Sequence, residues 1–177
     1  DKLNKVTKLY YIGAAFRRER PQKGRQRQFY QYGVEAFGSE HPEQDVEIIS
    51  MAYNILNMLG VEDLNLVINS VGSDETKEKY AKILKDYLSS HLNELSEVSK
   101  LRYNKNPLRI LDSKSSNEQE IIKNAPSILN SLNSQELKHF NQTRRFLDQL
   151  NIPYTVDSHL VRDGRLPAKD WKKLSKA

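Results

Sequence analysis

Residues 16–38 read FRRERPQKGRQRQFYQYGVEAFG, and the pattern of this stretch decides the fold. On either side of its polar centre lie runs of aromatic and small apolar residues, LYYIGAAF at 9–16 and QFYQYGVEAF at 28–37. Two such runs flanking a loop that contains Pro21 and Gly24 predict a long-looped β-hairpin. Side chains alternate faces along a strand, so Arg17 and Glu19 fall on one face, and Phe29, Gln31, Gly33 and Glu35 fall on one face of the return strand. Paired antiparallel, these residues line a single floor. It offers a planar cation, a carboxylate, a flat ring, an amide and a second carboxylate, with Gly33 as a gap where a ligand could approach the backbone.

That floor suits particular chemistry. ATP needs guanidinium forks for its phosphates, a flat surface under adenine and an acceptor for the adenine amino group. An amino acid needs a carboxylate for its ammonium. The alternative is an edge hairpin whose charges are merely solvated, the usual fate of an Arg-rich loop.

The charge is concentrated in the same place. The 177-residue chain carries +5 overall. Residues 16–27 hold six basic side chains against Glu19 alone, which equals that excess. The first fifteen residues and the tail from Arg162 onward are also basic, so the stretch 28–161 is acidic. A general nucleic-acid coat spreads Lys and Arg along a face, whereas a short basic loop points to a compact polyanion such as a triphosphate.

Further along the chain, Val46, Ile49, Tyr53, Leu56 and Leu59 recur at helical spacing over 43–59, with Gly60 as the stop. LNLVINS at 64–70 reads as a buried strand. Ser73 or Asp74 caps a helix carrying Tyr80, Ile83, Leu84, Tyr87, Leu88, Leu92 and Leu95 as one core stripe. Helical patterns follow near 117–124 and at 134–150, where Ser134 is the expected N-cap, and IPYTV at 152–156 reads as a short strand. The fold class is therefore α+β.

Composition narrows the classes. The chain is long enough to bury a real core, and 37% of its residues are apolar. No apolar run approaches the roughly 18 residues of a membrane-spanning helix. The N-terminus DKLNKVTK lacks the apolar stretch of a signal peptide, which makes the cytoplasm the expected location. There is no Cys, and His41, His91, His139 and His159 show no ligand spacing, so no structural metal is expected.

FRRERPQKGRQRQFYQYGVEAFG resembles motif 2 of the class II aminoacyl-tRNA synthetases, in the version found in histidine–tRNA ligases. The resemblance continues through LGVEDLNLVINSVGS at 59–73, LRYNKNPLRILDSK at 101–114, NAPSI at 124–128 and YTVDSHLVR at 154–162. It implies part of the class II antiparallel sheet with flanking helices, plus a mostly helical insertion. The expected divisions are 1–73 for the motif 2 part of the catalytic core, 74–153 for the insertion near the tRNA acceptor arm, and 154–177 for a return strand and basic tail.

The resemblance also implies roles. Arg17 would hold the ATP α-phosphate and the histidine carboxylate, stabilising charge at phosphorus as the carboxylate attacks. Glu19 would contact the adenine amino group, Arg25 the terminal phosphates, and Phe29 would stack on adenine. Gln31 and Glu35 would bind histidine, and Arg162 would sit near the α-phosphate. Histidine would be activated as an adenylate, with Mg²⁺ on the ATP phosphates, and passed to tRNA(His). The family is dimeric.

The departures fall at the end. After Arg162 the family continues Gly-Leu-Asp-Tyr-Tyr, whereas this chain reads DGRLP and ends AKDWKKLSKA. Counterparts of motif 1, the preceding histidine-binding loop, motif 3 and the anticodon-binding domain are missing from the stretch, so a catalytic-domain fragment with little adenylate-forming activity of its own is expected. Two alternatives stand beside the ligase. One is a noncatalytic paralogue of the ATP phosphoribosyltransferase regulatory type, favoured by the altered end; the other is a tRNA-binding fragment, which the acidic middle opposes.

Overall fold

The computed structural model describes residues 6–22 and 25–161. The chain opens on the expected hairpin, β1 (Thr7–Phe16) antiparallel to β2 (Gln28–Phe37), with Thr7 opposite Phe37 and Phe16 opposite Gln28. This register puts Tyr11 across from Gly33, Gly13 from Gln31, and Ala15 from Phe29 on one face. The other face carries Tyr10, Ile12, Phe16 and Tyr30, all strongly exposed.

Helix α1 (Pro42–Met58) follows, with Pro in its first turn and Glu43 and Asp45 favourably near its positive N-terminus. It ends as Gly60 was expected to end it. Gly60 takes φ +73°, its N–H donates to Asn57 O at 3.0 Å, and Val61 N–H donates to Leu56 O at 3.0 Å, the paired bonds of a Schellman cap. Lys8 Nζ reaches Glu47 of α1 at 2.5 Å and fastens the hairpin to the helix.

The predicted strand at 64–70 shrinks to β3 (Val67–Ile68), which pairs in parallel with β4 (Thr155–Val156). The antiparallel expectation thus holds for the hairpin, while this second small sheet is parallel. Between its strands lie α2 (Asp74–Ser89), α3 (Glu97–Lys105), α4 (Ser116–Lys123) and α5 (Ser134–Gln149), with short 3₁₀ turns at Pro107–Ile110 and Ile128–Ser131. Ser73 caps α2 as predicted. Asn133, rather than Ser134, caps α5, because its side chain accepts from both Gln135 N and Glu136 N.

Two apolar clusters organise the helices. Tyr80, Leu84, Leu88, Leu95, Ile110, Ile121, Ile122 and Ile128 form one, into which Val161 also inserts. Ile83, assigned to the same stripe by spacing, is instead exposed. Val46 and Ile49 of α1, Ile68 of β3, and Phe140 and Leu147 of α5 form the other. Helix α5 therefore packs on α1 and the parallel strand pair, which carries the hairpin and the following helices on one framework.

Asn69 Oδ1 apart, the buried side-chain polar atoms of the described residues are paired. Tyr80 donates to Pro126 O at 2.7 Å, and burial pushes its hydroxyl up to about 12. The wholly buried Glu118 accepts from Ser96 N at 2.7 Å and from the hydroxyls of Ser99 and Ser113. Burial opposes its ionisation, but these donors outweigh that cost and hold the carboxyl below its ordinary value.

Candidate functional site

The hairpin pairing continues one step past the strands, where Arg17 N–H donates to Arg27 O at 2.8 Å. Beyond it Gln22 and Arg25 exchange both backbone hydrogen bonds, at 3.1 and 2.8 Å. Between these two pairings the outgoing arm contains residues 18–21 and the returning arm only Gln26. The arm bulges, and strand alternation does not carry Glu19 onto the floor, contrary to the alternation argument. Instead Glu19 is held by the return arm: its carboxylate pairs with the Arg25 guanidinium, and its carbonyl accepts from Arg27 Nε at 3.3 Å.

Arg17 lies over the ring of Phe29, its guanidinium carbon 3.8 Å from the ring centroid. A cation at that distance is attracted by the ring quadrupole, and the planar guanidinium also stacks. Arg17 and Phe29 are both half-buried. Arg17, Glu19, Arg25 and Phe29 are thus gathered at the loop end of the hairpin.

Gln31 and Glu35 lie further down the same face, opposite Gly13 and Leu9. Here the structure corrects one expectation. The space above Gly33 is not a gap, because the ring of Tyr11 fills it: a Cβ at position 33 would stand 2.4 Å from two ring carbons of Tyr11. The Tyr11 hydroxyl accepts from Gln31 Nε2 at 2.5 Å. Composition did not mark Tyr11 as a site residue, but the register does, since any residue opposite Gly33 on this face must lie over it.

Arg162 lies outside the described residues. The segment leading to it is fixed by Asn69 Nδ2 donating to Leu160 O at 3.3 Å, by His159 Nε2 lying 3.2 Å from Ala125 O, and by Val161 in the helical core. The remaining histidines pair with acids or cap a helix: His91 with Glu94 at 2.8 Å, His139 with Asp45 at 3.6 Å, and His41 at the start of α1. Among the described residues no group of three or more His, Asp or Glu side chains is placed to hold a metal ion. No helix among them is long and apolar enough to cross a membrane.

A family model described as histidyl-tRNA synthetase matches residues 2–166. A histidine–tRNA ligase of Lactiplantibacillus plantarum is 52% identical over 158 residues, 89% of this chain and 37% of that protein. One from Streptococcus thermophilus is 48% identical over 160 residues, 90% of this chain and 38% of that protein. The solved structure of apo S. aureus histidyl-tRNA synthetase superimposes with a TM-score of 0.64 at 35% identity, over 88% of this chain and 35% of that one. Fold and hairpin together mark a member of the aminoacyl-tRNA synthetase class. Within that class the chain belongs to the histidyl-tRNA synthetase family. It spans about 37% of the length of the curated relatives it matches.

Proposed function

We propose that this chain contributes the ATP- and histidine-binding hairpin to a histidine–tRNA ligase. In that reaction histidine attacks the α-phosphate of ATP, pyrophosphate leaves, and the histidyl-adenylate formed is passed to tRNA(His). The observation that carries the proposal is the convergence of Arg17, Glu19, Arg25 and Phe29 at one end of the hairpin, with Gln31 and Glu35 on the floor beyond.

The roles follow from the side chains. Arg17 presents five N–H donors in a fixed fork, suited to bridge an α-phosphate and a carboxylate as charge builds at phosphorus. The Phe29 ring supports adenine, Glu19 accepts from its amino group, and Arg25 reaches the terminal phosphates. Glu35 and Gln31 take the histidine. Arg162 adds a second cation near the α-phosphate.

Adenine and Arg17 compete for the same ring in this scheme. On ATP binding Arg17 leaves the Phe29 face for the phosphates, and Arg25 likewise exchanges Glu19 for phosphate. Charge-assisted bonds to phosphate are worth more than an exposed cation–π contact, so the exchange favours the complex. Mg²⁺ enters as part of the substrate, on the ATP phosphates, where it needs few protein ligands.

The helical residues 74–153 are assigned to an insertion near the tRNA acceptor arm, and the whole enzyme is assigned a homodimeric, cytoplasmic existence. Calorimetric titration with ATP and Mg²⁺, with and without histidine, tests the proposal; saturable uptake enhanced by histidine supports it, and no uptake by the folded chain refutes it.

A further inference from the structure

We propose that Glu136 is the clasp of a hinge, holding a helical unit of residues 71–128 against the frame made by α1, α5 and the parallel strand pair. The two apolar clusters share no residue, and each belongs to one of these bodies. The chain leaves the frame between Ile68, buried in the frame's cluster, and Val71, packed on the other. It returns at the second 3₁₀ turn, where Ile128 belongs to the helical cluster and Leu129 packs on that of the frame. Helices α2, α3 and α4 are thus an excursion between two crossings, while α5 stays with the frame.

The two crossings touch. A Cβ on Gly72 would stand 3.0 Å from Leu132 Cδ2 and 2.7 Å from Thr76 Cγ2, and Gly72 takes φ +64°, so both the close approach and the backbone call for glycine. The Glu136 carboxylate spans this junction. On the frame side it caps its own helix, accepting from Asn133 N at 2.9 Å. On the other side it accepts from Ser73 N and from Thr76 Oγ1 at the start of α2, each at 2.7 Å. An ionised carboxylate can only accept, so the Thr76 hydroxyl must donate, and one side chain ties the outgoing chain to the returning one.

A third passage carries the consequence onward. Residues 157–161 run from β4 on the frame to Val161, which is buried in the helical cluster, and Asn69 of the frame donates to Leu160 O at 3.3 Å on the way. The relative placement of the two bodies is therefore felt at Val161.

The chain contains no Cys, so cysteines introduced in pairs carry spin labels at chosen positions alone. Met58→Cys on α1 with Val98→Cys on α3 reports the distance from frame to unit. Ile83→Cys with Val98→Cys reports the inside of the unit, and all three positions are exposed. Pulsed electron spin resonance on the full chain measures both distance distributions, with Glu136 and with Glu136→Gln, which keeps the shape but sets an N–H against one of the donors. The expected result is that the frame-to-unit distribution shifts and broadens in Glu136→Gln while the distribution inside the unit keeps its width. Thr76→Val removes one donor without changing the shape; it reproduces the effect in smaller measure and carries the test should Glu136→Gln not fold.

Equal broadening of both distributions would mean that Glu136 only stabilises the fold as a whole. Unchanged distributions in both variants, or a frame-to-unit distribution already broad in the unaltered chain, would mean that the carboxylate holds nothing in place. Each of these overturns the proposal and leaves the function proposed above untouched, since no ligand enters the experiment.

Discussion

The Arg17 guanidinium stacks on Phe29, 3.8 Å from the ring centroid, so two groups assigned to different parts of one nucleotide are in contact with each other. Phe29→Leu removes the flat surface but keeps apolar bulk. Aromatic stacking of this kind is worth about 1 kcal/mol, so ATP binding falls roughly fivefold relative to that of inorganic triphosphate, which has no base to stack. Parallel calorimetric titrations with the two ligands check this, and an equal loss for both would remove the stacking role.

Glu136 joins the starts of two helices. It accepts from Ser73 N and Thr76 Oγ1, both at 2.7 Å, and from Asn133 N at 2.9 Å, so the N-cap of α2 and the N-cap of α5 share one carboxylate. Burial opposes ionisation, but the donors from Thr76, Asn133 and Ser73 outweigh it and draw the carboxyl down to about 2. A carboxylate depressed on folding stabilises the protein above its unfolded value of 4.5, and that stability is lost as pH falls from there toward 2. Allowing for solvent screening, the contribution is about 1–2 kcal/mol. Urea unfolding from pH 6 to pH 3 measures it, and Glu136→Gln flattens that part of the pH dependence.

Gly60 is needed for its backbone alone. Its φ is +73°, and a Cβ there would meet nothing within 4 Å. Gly60→Ala costs about 1 kcal/mol from left-handed strain, a fall of roughly 2–4 °C in melting temperature for a domain of this size. A calorimetric scan reads it directly, and an unchanged melting temperature would show that the cap relaxes out of the left-handed region.

The hairpin face away from the site bares Tyr10, Ile12, Phe16 and Tyr30, exposed by 82, 76, 74 and 81%. A contiguous apolar face on a two-stranded sheet promotes association. Sedimentation velocity on the chain as given shows concentration-dependent association, and the double substitution Ile12→Lys with Tyr30→Lys abolishes it. A monomer at all concentrations would contradict this.

Much of the architecture was legible because local signals agreed. The hairpin pairing, Gly60 and Ser73 each had turn or cap chemistry matching the adjacent apolar period. Helix α3 was not recognised as one, since Val98 and Leu101 on it are exposed and its one buried residue is Ser99, held by Glu118. Its stability comes from the Ser96 cap and that buried carboxylate, which apolar spacing does not register. The candidate site residues stand out as a set through their resemblance to motif 2, but the contacts among them were not legible. The Glu19–Arg25 pair depends on a bulge that simple alternation omits, and Tyr11 becomes visible only once the register sets it over Gly33.

Calorimetric titration of wild type and Arg17→Ala with ATP and Mg²⁺ tests the central claim most directly, because two effects of the substitution oppose each other. Losing the phosphate fork weakens binding, while freeing the Phe29 ring for adenine strengthens it by about 0.5–1 kcal/mol. Charge-assisted bonds to phosphate are worth about 1.5–3 kcal/mol, so the account predicts saturable wild-type binding that weakens in Arg17→Ala by a net of about 0.5–2.5 kcal/mol, roughly two- to seventyfold. Binding that is unchanged or tighter in Arg17→Ala, or absent from a folded wild-type chain, would contradict the assignment of this hairpin as the nucleotide site.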